Sequence, residues 1–302
     1  MSAAGPSQGA NCAPLGGSAA ATAASVGAQR TSGAGPSRGC SPPGGSAAAQ
    51  AASVGAHRRT LSGQVAIVTG AARGIGLGIA ARLAEEGCRV VVWDRDPGAF
   101  DATTAGFVPA AVEIVDVSSY PSVERAFAAT MRRVDRLDIL VNNAGVSGPV
   151  APVWEYPLDA WDRVLAVDLT GVFHCCRVAA PRMREAGYGR IVNVSSITGK
   201  EGSPGIAAYA SAKAGVIGFT KSLARELIGS GVLVNCIAPV ITETDLLREM
   251  TPEHIASAKA KIPMGRFLTI DETAAMVAWI ASPECSFCTG ATFDLSGGRG
   301  TY

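Results

Sequence analysis

Thr69-Gly70-Ala71-Ala72-Arg73-Gly74-Ile75-Gly76 decides how this sequence folds. Before it lies Gln64–Thr69, a β-branched run that reads as a strand. After it lies Ile75–Glu86, whose apolar spacing reads as a helix closed by Gly87. In a strand–glycine turn–helix unit the backbone can approach a pyrophosphate, and the helix start supplies free N–H groups and a positive dipole end. Glycines alone suit a mobile turn equally well. Their placement between strand and helix is what points to a nucleotide. The spacing is G-x-x-x-G-x-G rather than G-x-G-x-x-G.

Outward from this unit the same alternation continues. Arg89–Trp93, Ala111–Val115, Leu137–Val141, Arg190–Val194, Val232–Ile237 and Thr292–Leu295 read as strands; Asp159–Met183 and Ala208–Ile228 read as helices. This predicts an α/β fold over residues 61–302: one Rossmann-like, doubly wound parallel sheet of about seven strands with helices on both faces. Residues 1–60 differ in kind. Of these 60, 42 are Ala, Gly, Ser or Pro, and the first carboxylate in the chain is Glu85. Such a segment buries too little apolar area to offset the entropy of ordering and is expected to be a disordered low-complexity tail. Gly16–Arg30 recurs almost unchanged as Gly44–Arg58, a duplication too short for a solenoid. An acid-free, Ser-rich, Arg-bearing start also suits an organellar transit peptide, but it lacks the bulky apolar face of one.

The whole chain has 302 residues and a formal charge of +1. That gives no field to gather nucleic acid or an anionic membrane, and the apolar runs are too short to predict a bilayer span. Eight cysteines in a chain this long do not make a disulfide scaffold, which favours a cytoplasmic protein. Cys285-Ser-Phe-Cys288 stands without a second pair, so two buried thiols are expected and no metal.

The second strand ends at Asp94, 18 residues beyond Gly76. A carboxylate there can accept both adenosine ribose hydroxyls and would repel a 2′-phosphate, so NAD is expected rather than NADP. Arg73 in the glycine turn argues the other way. Tyr209-Ala-Ser-Ala-Lys213 lies in a helical stretch, with the phenol and the amine four residues apart on one face. An ammonium beside a phenol favours the phenolate. Ser196, thirteen residues upstream at a strand end, can hydrogen-bond a substrate oxygen next to that phenol.

Together these motifs make Leu61–Tyr302 resemble the short-chain dehydrogenase/reductase family. The resemblance extends to Asp116-Val117, Asn142-Asn143-Ala144-Gly145, Ile191–Ser196 and the Ala238-Pro239 turn. It implies an NAD-dependent oxidoreductase that interconverts a secondary alcohol and a ketone. Tyr209 would be the acid/base, Ser196 would hold the carbonyl or alkoxide, and Lys213 would bind the nicotinamide ribose. Gly70, Arg73, Gly74, Ile75, Gly76 and Asp94 would hold the adenosine and pyrophosphate. Asp116 and Val117 would flank the adenine, and Asn143, Ala144, Gly145, Pro239, Thr242 and Thr244 would line the rest of the cofactor. The substrate would be a small alcohol or ketone, as in sugar-acid and polyol dehydrogenases such as the 4-dehydrogenases of 2-keto-3-deoxy sugar acids. A 3-oxoacyl-(acyl carrier protein) reductase using NADPH has a similar pattern, and a non-catalytic NAD-sensing module is the alternative of another class. Family members are usually homotetramers or dimers.

Two positions depart from the family pattern. Asp168 stands where relatives have Asn; it is carried as a catalytic candidate because a carboxylate there can perturb the proton relay near Lys213. Val240 follows Pro239 where relatives have Gly, which predicts a different loop path and different contacts for Ile241, Thr242 and Thr244. Lys200 and Arg248 are candidate cations for a substrate carboxylate, and Trp154, Tyr156 and Trp161 are candidates for pocket wall or core.

Overall fold

A computed structural model describes residues 61–243 and 251–300. The N-terminal segment, Thr244 and Arg248 lie outside the described residues. Seven strands form one sheet: β1 (Val65–Thr69), β2 (Arg89–Asp94), β3 (Ala111–Ile114), β4 (Ile139–Asn142), β5 (Gly189–Val194), β6 (Val232–Pro239) and β7 (Thr292–Leu295). Their order is β3-β2-β1-β4-β5-β6-β7 and every pairing is parallel. The strand order reverses at β1 and β4, so a crevice opens beyond their C-terminal ends.

The long helices are α1 (Gly74–Glu85), α2 (Tyr120–Arg133), α3 (Leu158–Leu165), α4 (Gly171–Ala186), α5 (Ala207–Glu226), α6 (Pro252–Ala260) and α7 (Ile270–Ala281). Side chains of β1 leave the sheet alternately. Val65 and Ile67 join one apolar cluster with Val123 of α2, Met183 of α4 and Val216 of α5. Ala66 and Val68 join the other with Ile79 and Leu83 of α1 and Val277 and Ile280 of α7. All five residues of β1 are buried, as a strand covered on both faces must be.

Three helices go beyond what the sequence pattern predicts: α2, α6 and α7. The start of α7 is written in the sequence as a capping box. Thr269 accepts the Glu272 N–H while the Glu272 carboxylate takes the Thr269 N–H. The expected helix Asp159–Met183 is two α-helices joined by a π turn, Ala166–Thr170. Joined, Leu158–Ala186 is long and apolar enough to cross a membrane by length and mean hydropathy. Part of that apolarity is used inside the fold, where Val172, Cys175, Cys176, Ala179 and Met183 pack on the sheet. Val240 is buried beside Ile197, Ile262 and Phe267, and its N–H bonds the Leu295 carbonyl. β6 simply runs on to Pro239, and a β-branched residue suits extended chain.

Candidate active site

β1 delivers Gly70 and Gly74 in the left-handed region, at φ 62° and 58°, which glycine reaches without strain. Gly76 has no room for a side chain, because a Cβ there would collide with the Gly70 carbonyl and the Asn143 amide. Arg73 at the N-cap makes no side-chain cap bond, and the first turn of α1 carries no acid. Its leading N–H groups are therefore available to an anion. The turn is held from two sides. Asp94 accepts the Ala72 N–H at 3.0 Å through Oδ2 and the Asp96 N–H at 3.0 Å through Oδ1. Thr69 Oγ1 accepts the Asn143 and Ala144 N–H groups, and Asn143 Nδ2 donates to the carbonyls of Thr69 and Gly70. The Asn143 side chain is thus committed to the turn, and what it offers the crevice is backbone. A nicotinamide dinucleotide fits this cradle: the glycines leave space, the helix start offers donors, and a carboxylate waits at the end of β2.

A cavity of about 450 Å³ adjoins the turn and is lined by Ser196, Tyr209, Lys213, Asp168, Gly145 and Thr242, among others. Ser196 caps the end of β5; its Oγ accepts the Thr198 N–H at 3.2 Å and keeps its own proton to donate. Tyr209, half-buried, sits in the first turn of α5. One turn on, the buried Lys213 Nζ lies 5.5 Å from the centre of the Tyr209 ring and donates to the Val194 carbonyl at 3.1 Å. The neighbouring serine is engaged elsewhere. Ser195 Oγ donates to the Lys213 carbonyl at 2.7 Å, clamping α5 to the end of β5. Gly199 permits the same close approach, since a Cβ there would stand 2.6 Å from the Lys213 carbonyl carbon.

Asp168 enters from the π turn and is fully buried. Its Oδ1 accepts the Val146 N–H at 2.8 Å, and its Oδ2 lies 3.2 Å from Lys213 Nζ. Burial pushes the carboxyl above the ordinary aspartate value, against the opposing pull of the Lys213 charge and the Val146 N–H.

Other sequence candidates fall around this centre. Asp116 is half-buried and accepts Ser118 N–H and Oγ–H through Oδ1, shaping the turn after β3. The buried Val117 packs on Gly171. Thr242, buried, is bridged to Leu268, and its Oγ1 donates to the Val240 carbonyl at 3.3 Å. Lys200 is paired with Asp294 at 2.7 Å and does not line the cavity. Two other basic residues do, Lys261 and Arg299; Arg299 ends the Asp294-Leu-Ser-Gly-Gly-Arg299 stretch, and no sequence motif marks Lys261. Arg299 is paired with Glu201 at 2.7 Å; Lys261 is exposed and directly follows the last residue of α6. Trp154 is 84% exposed and Tyr156 is buried against Trp161. Of the C-x-x-C pair only Cys285 is buried, which pushes its thiol up to about 11; Cys288 is half-buried.

Residues 70–299 match the family model described as enoyl-(acyl carrier protein) reductase. The chain is 46% identical over 241 residues to a 2-dehydro-3-deoxy-L-rhamnonate dehydrogenase (NAD(+)) of Sphingomonas sp. (strain SKA58), covering 80% of this chain and 97% of that one. It is 38% identical over 244 residues to a 3-oxoacyl-[acyl-carrier-protein] reductase of Synechocystis sp. (79% and 97% covered). The crystal structure of an NAD+-bound xylitol dehydrogenase superposes with a TM-score of 0.74 at 31% identity, over 79% of this chain and 99% of the other.

Proposed function

The chain belongs to the short-chain dehydrogenase/reductase family, and we propose that it is an NAD-dependent dehydrogenase of a secondary alcohol carried on a polyhydroxy or keto acid. The observation that carries this reading is the meeting of Ser196, Tyr209 and Lys213 on one cavity next to the glycine turn. Asp94 would take the adenosine ribose hydroxyls, the start of α1 the pyrophosphate, and Lys213 the nicotinamide ribose. Bound there, the nicotinamide would supply the hydride-accepting chemistry for the carbinol carbon. Ser196 Oγ–H donates to the substrate oxygen and holds it against Tyr209. Tyr209 Oη takes the hydroxyl proton as general base and returns it as general acid in the reverse direction. The Lys213 ammonium stabilises the phenolate that the transfer requires.

The substrate class rests on charge. Asp168 and Glu201 offset Lys213 and Arg299, while Lys261 pairs with no acid among the described residues. A cation there suits a substrate carboxylate, as in the relative acting on 2-dehydro-3-deoxy-L-rhamnonate. Lys261→Met is expected to raise KM for a 2-keto-3-deoxy aldonate about tenfold and to leave KM for an uncharged polyol unchanged. Equal effects on both substrates would remove Lys261 from carboxylate recognition. Asp94→Asn is expected to lower kcat/KM with NAD about tenfold and to raise the NADP-to-NAD ratio, read from initial rates. An unchanged ratio would remove Asp94 from cofactor choice. A wild-type preference for NADPH and 3-oxoacyl thioesters would favour the carrier-protein reductase instead. Assembly into dimers or tetramers through α4 and α5, where Phe173 stands partly exposed against Phe219, and a cytoplasmic location belong to the same proposal.

A further inference from the structure

We propose that Asp168 is a positioning residue of the proton-transfer centre: its carboxylate grips the Lys213 ammonium directly, fixes it beneath the Tyr209 ring, and sets how much positive charge the phenol feels. The geometry is specific. Lys213 Nζ lies between three groups: the Val194 carbonyl at 3.1 Å, Asp168 Oδ2 at 3.2 Å, and the Tyr209 ring at 5.5 Å to its centre. Asp168 is itself fastened by the Val146 N–H through Oδ1, and the buried Oδ2 has no hydrogen-bond partner among the described residues. Its contact with the ammonium is an ion pair at 3.2 Å without hydrogen-bond geometry, and it is the one ion pair Asp168 makes among the described residues.

A carboxylate with zero exposure is costly unless it has a compensating charge. Three elements surround this one. α5 presents Lys213 and, beyond it, Tyr209. The loop after β4 presents Gly145 and the Val146 N–H, and β5 presents the Val194 carbonyl to the same amine. Lys213 is the one charged group among the described residues that acts on Asp168. Asp168 is the middle residue of the π turn Ala166–Thr170, which packs against α5, the helix that carries Lys213. Gly145 completes the fit: a Cβ there would lie 3.0 Å from Asp168 Oδ2 and 3.4 Å from Lys213 Nζ.

The consequence is electrostatic. An ammonium alone draws the phenol strongly toward phenolate, and a carboxylate beside the ammonium cancels part of that pull. Asp168→Asn keeps the shape and removes the charge. In alcohol oxidation, the limb over which kcat/KM rises with pH is expected to move about one unit toward acid, while kcat falls because the amine is gripped less firmly. Asp168→Glu keeps the charge and shifts its position; it is expected to lower kcat and leave the limb where the wild type has it. A residue that served only packing would lower kcat at every pH and move no limb.

The inference rests on Tyr209 carrying the proton, and the two ideas fail separately: an active Tyr209→Phe enzyme overturns both, whereas an inactive one beside an unmoved Asp168→Asn limb overturns this one alone. The pH profiles are taken on protein that melts cooperatively and binds NADH like the wild type. If Asp168→Asn does not fold, Asp168→Ser replaces it, read with and without added formate. Formate is expected to carry the limb back to the wild-type position. A limb that ignores formate, or one that Asp168→Glu moves as far as Asp168→Asn does, contradicts the proposal.

Discussion

Tyr209→Phe is expected to lower kcat/KM about a thousandfold while NADH binds within about twofold of wild type. In the proposed mechanism the phenol oxygen is the group that exchanges a proton with a hydroxyl held by Ser196. Removing it deletes that step and leaves the cradle intact. The glycine turn is fastened by Asp94, Thr69 and Asn143, none of which touches the phenol. Half-buried in the first turn of α5, Tyr209 packs against the apolar cluster of Tyr156, Val164, Ala208 and Ala212; phenylalanine keeps that packing. Binding is read by NADH fluorescence and turnover by absorbance. Loss of both together would mean that Tyr209 holds the fold or the cofactor, and full activity would assign the proton to another group.

Lys213→Met is the second large effect, and it divides between chemistry and stability. Loss of the ammonium is expected to lower kcat about a hundredfold, because nothing then stabilises the phenolate. It also leaves the Asp168 carboxylate buried without its counter-charge, at a cost of about 3–5 kcal/mol. The carboxyl, already pushed up by burial and held back partly by Lys213, then retains its proton to still higher pH. Pairing the change with Asp168→Asn is expected to recover most of the lost stability in urea unfolding and none of the lost activity. Recovery of activity would show that Lys213 serves only to neutralise Asp168. Absence of any stability recovery would show that the two charges do not depend on each other.

Much of this arrangement is legible in the sequence because it is local. The glycine turn, the i, i+4 spacing of Tyr209 and Lys213, and the β-branched runs each carry their own signal, and all seven strands fall within two residues of where those runs place them. The less legible features depend on distant partners. The family pattern singles out Ser196 of the Ser195-Ser196 pair, but the bond from Ser195 Oγ to the Lys213 carbonyl depends on a helix 18 residues away and leaves no mark in the dipeptide. The substitution at Asp168 is visible, but the π turn that carries it leaves no periodic mark, nor does its pairing with Lys213 on α5. Lys200 follows Ser196 closely in sequence yet is drawn to Asp294 on β7, whereas Lys261, 65 residues beyond Ser196, reaches the cavity. α7 is legible as Thr269-x-x-Glu272; α2 opens with a proline in its first turn, a weaker sign of the same kind.

The decisive measurement is NADH formation at 340 nm by the wild-type enzyme and Tyr209→Phe, with NAD and a panel of polyols, aldonates and 2-keto-3-deoxy aldonates. Turnover of at least one secondary alcohol by the wild type, absent from the variant, is the expected result. An enzyme that binds NAD tightly yet oxidises none of them and reduces no ketone, or a Tyr209→Phe enzyme as active as the wild type, would contradict hydride transfer gated by this phenol.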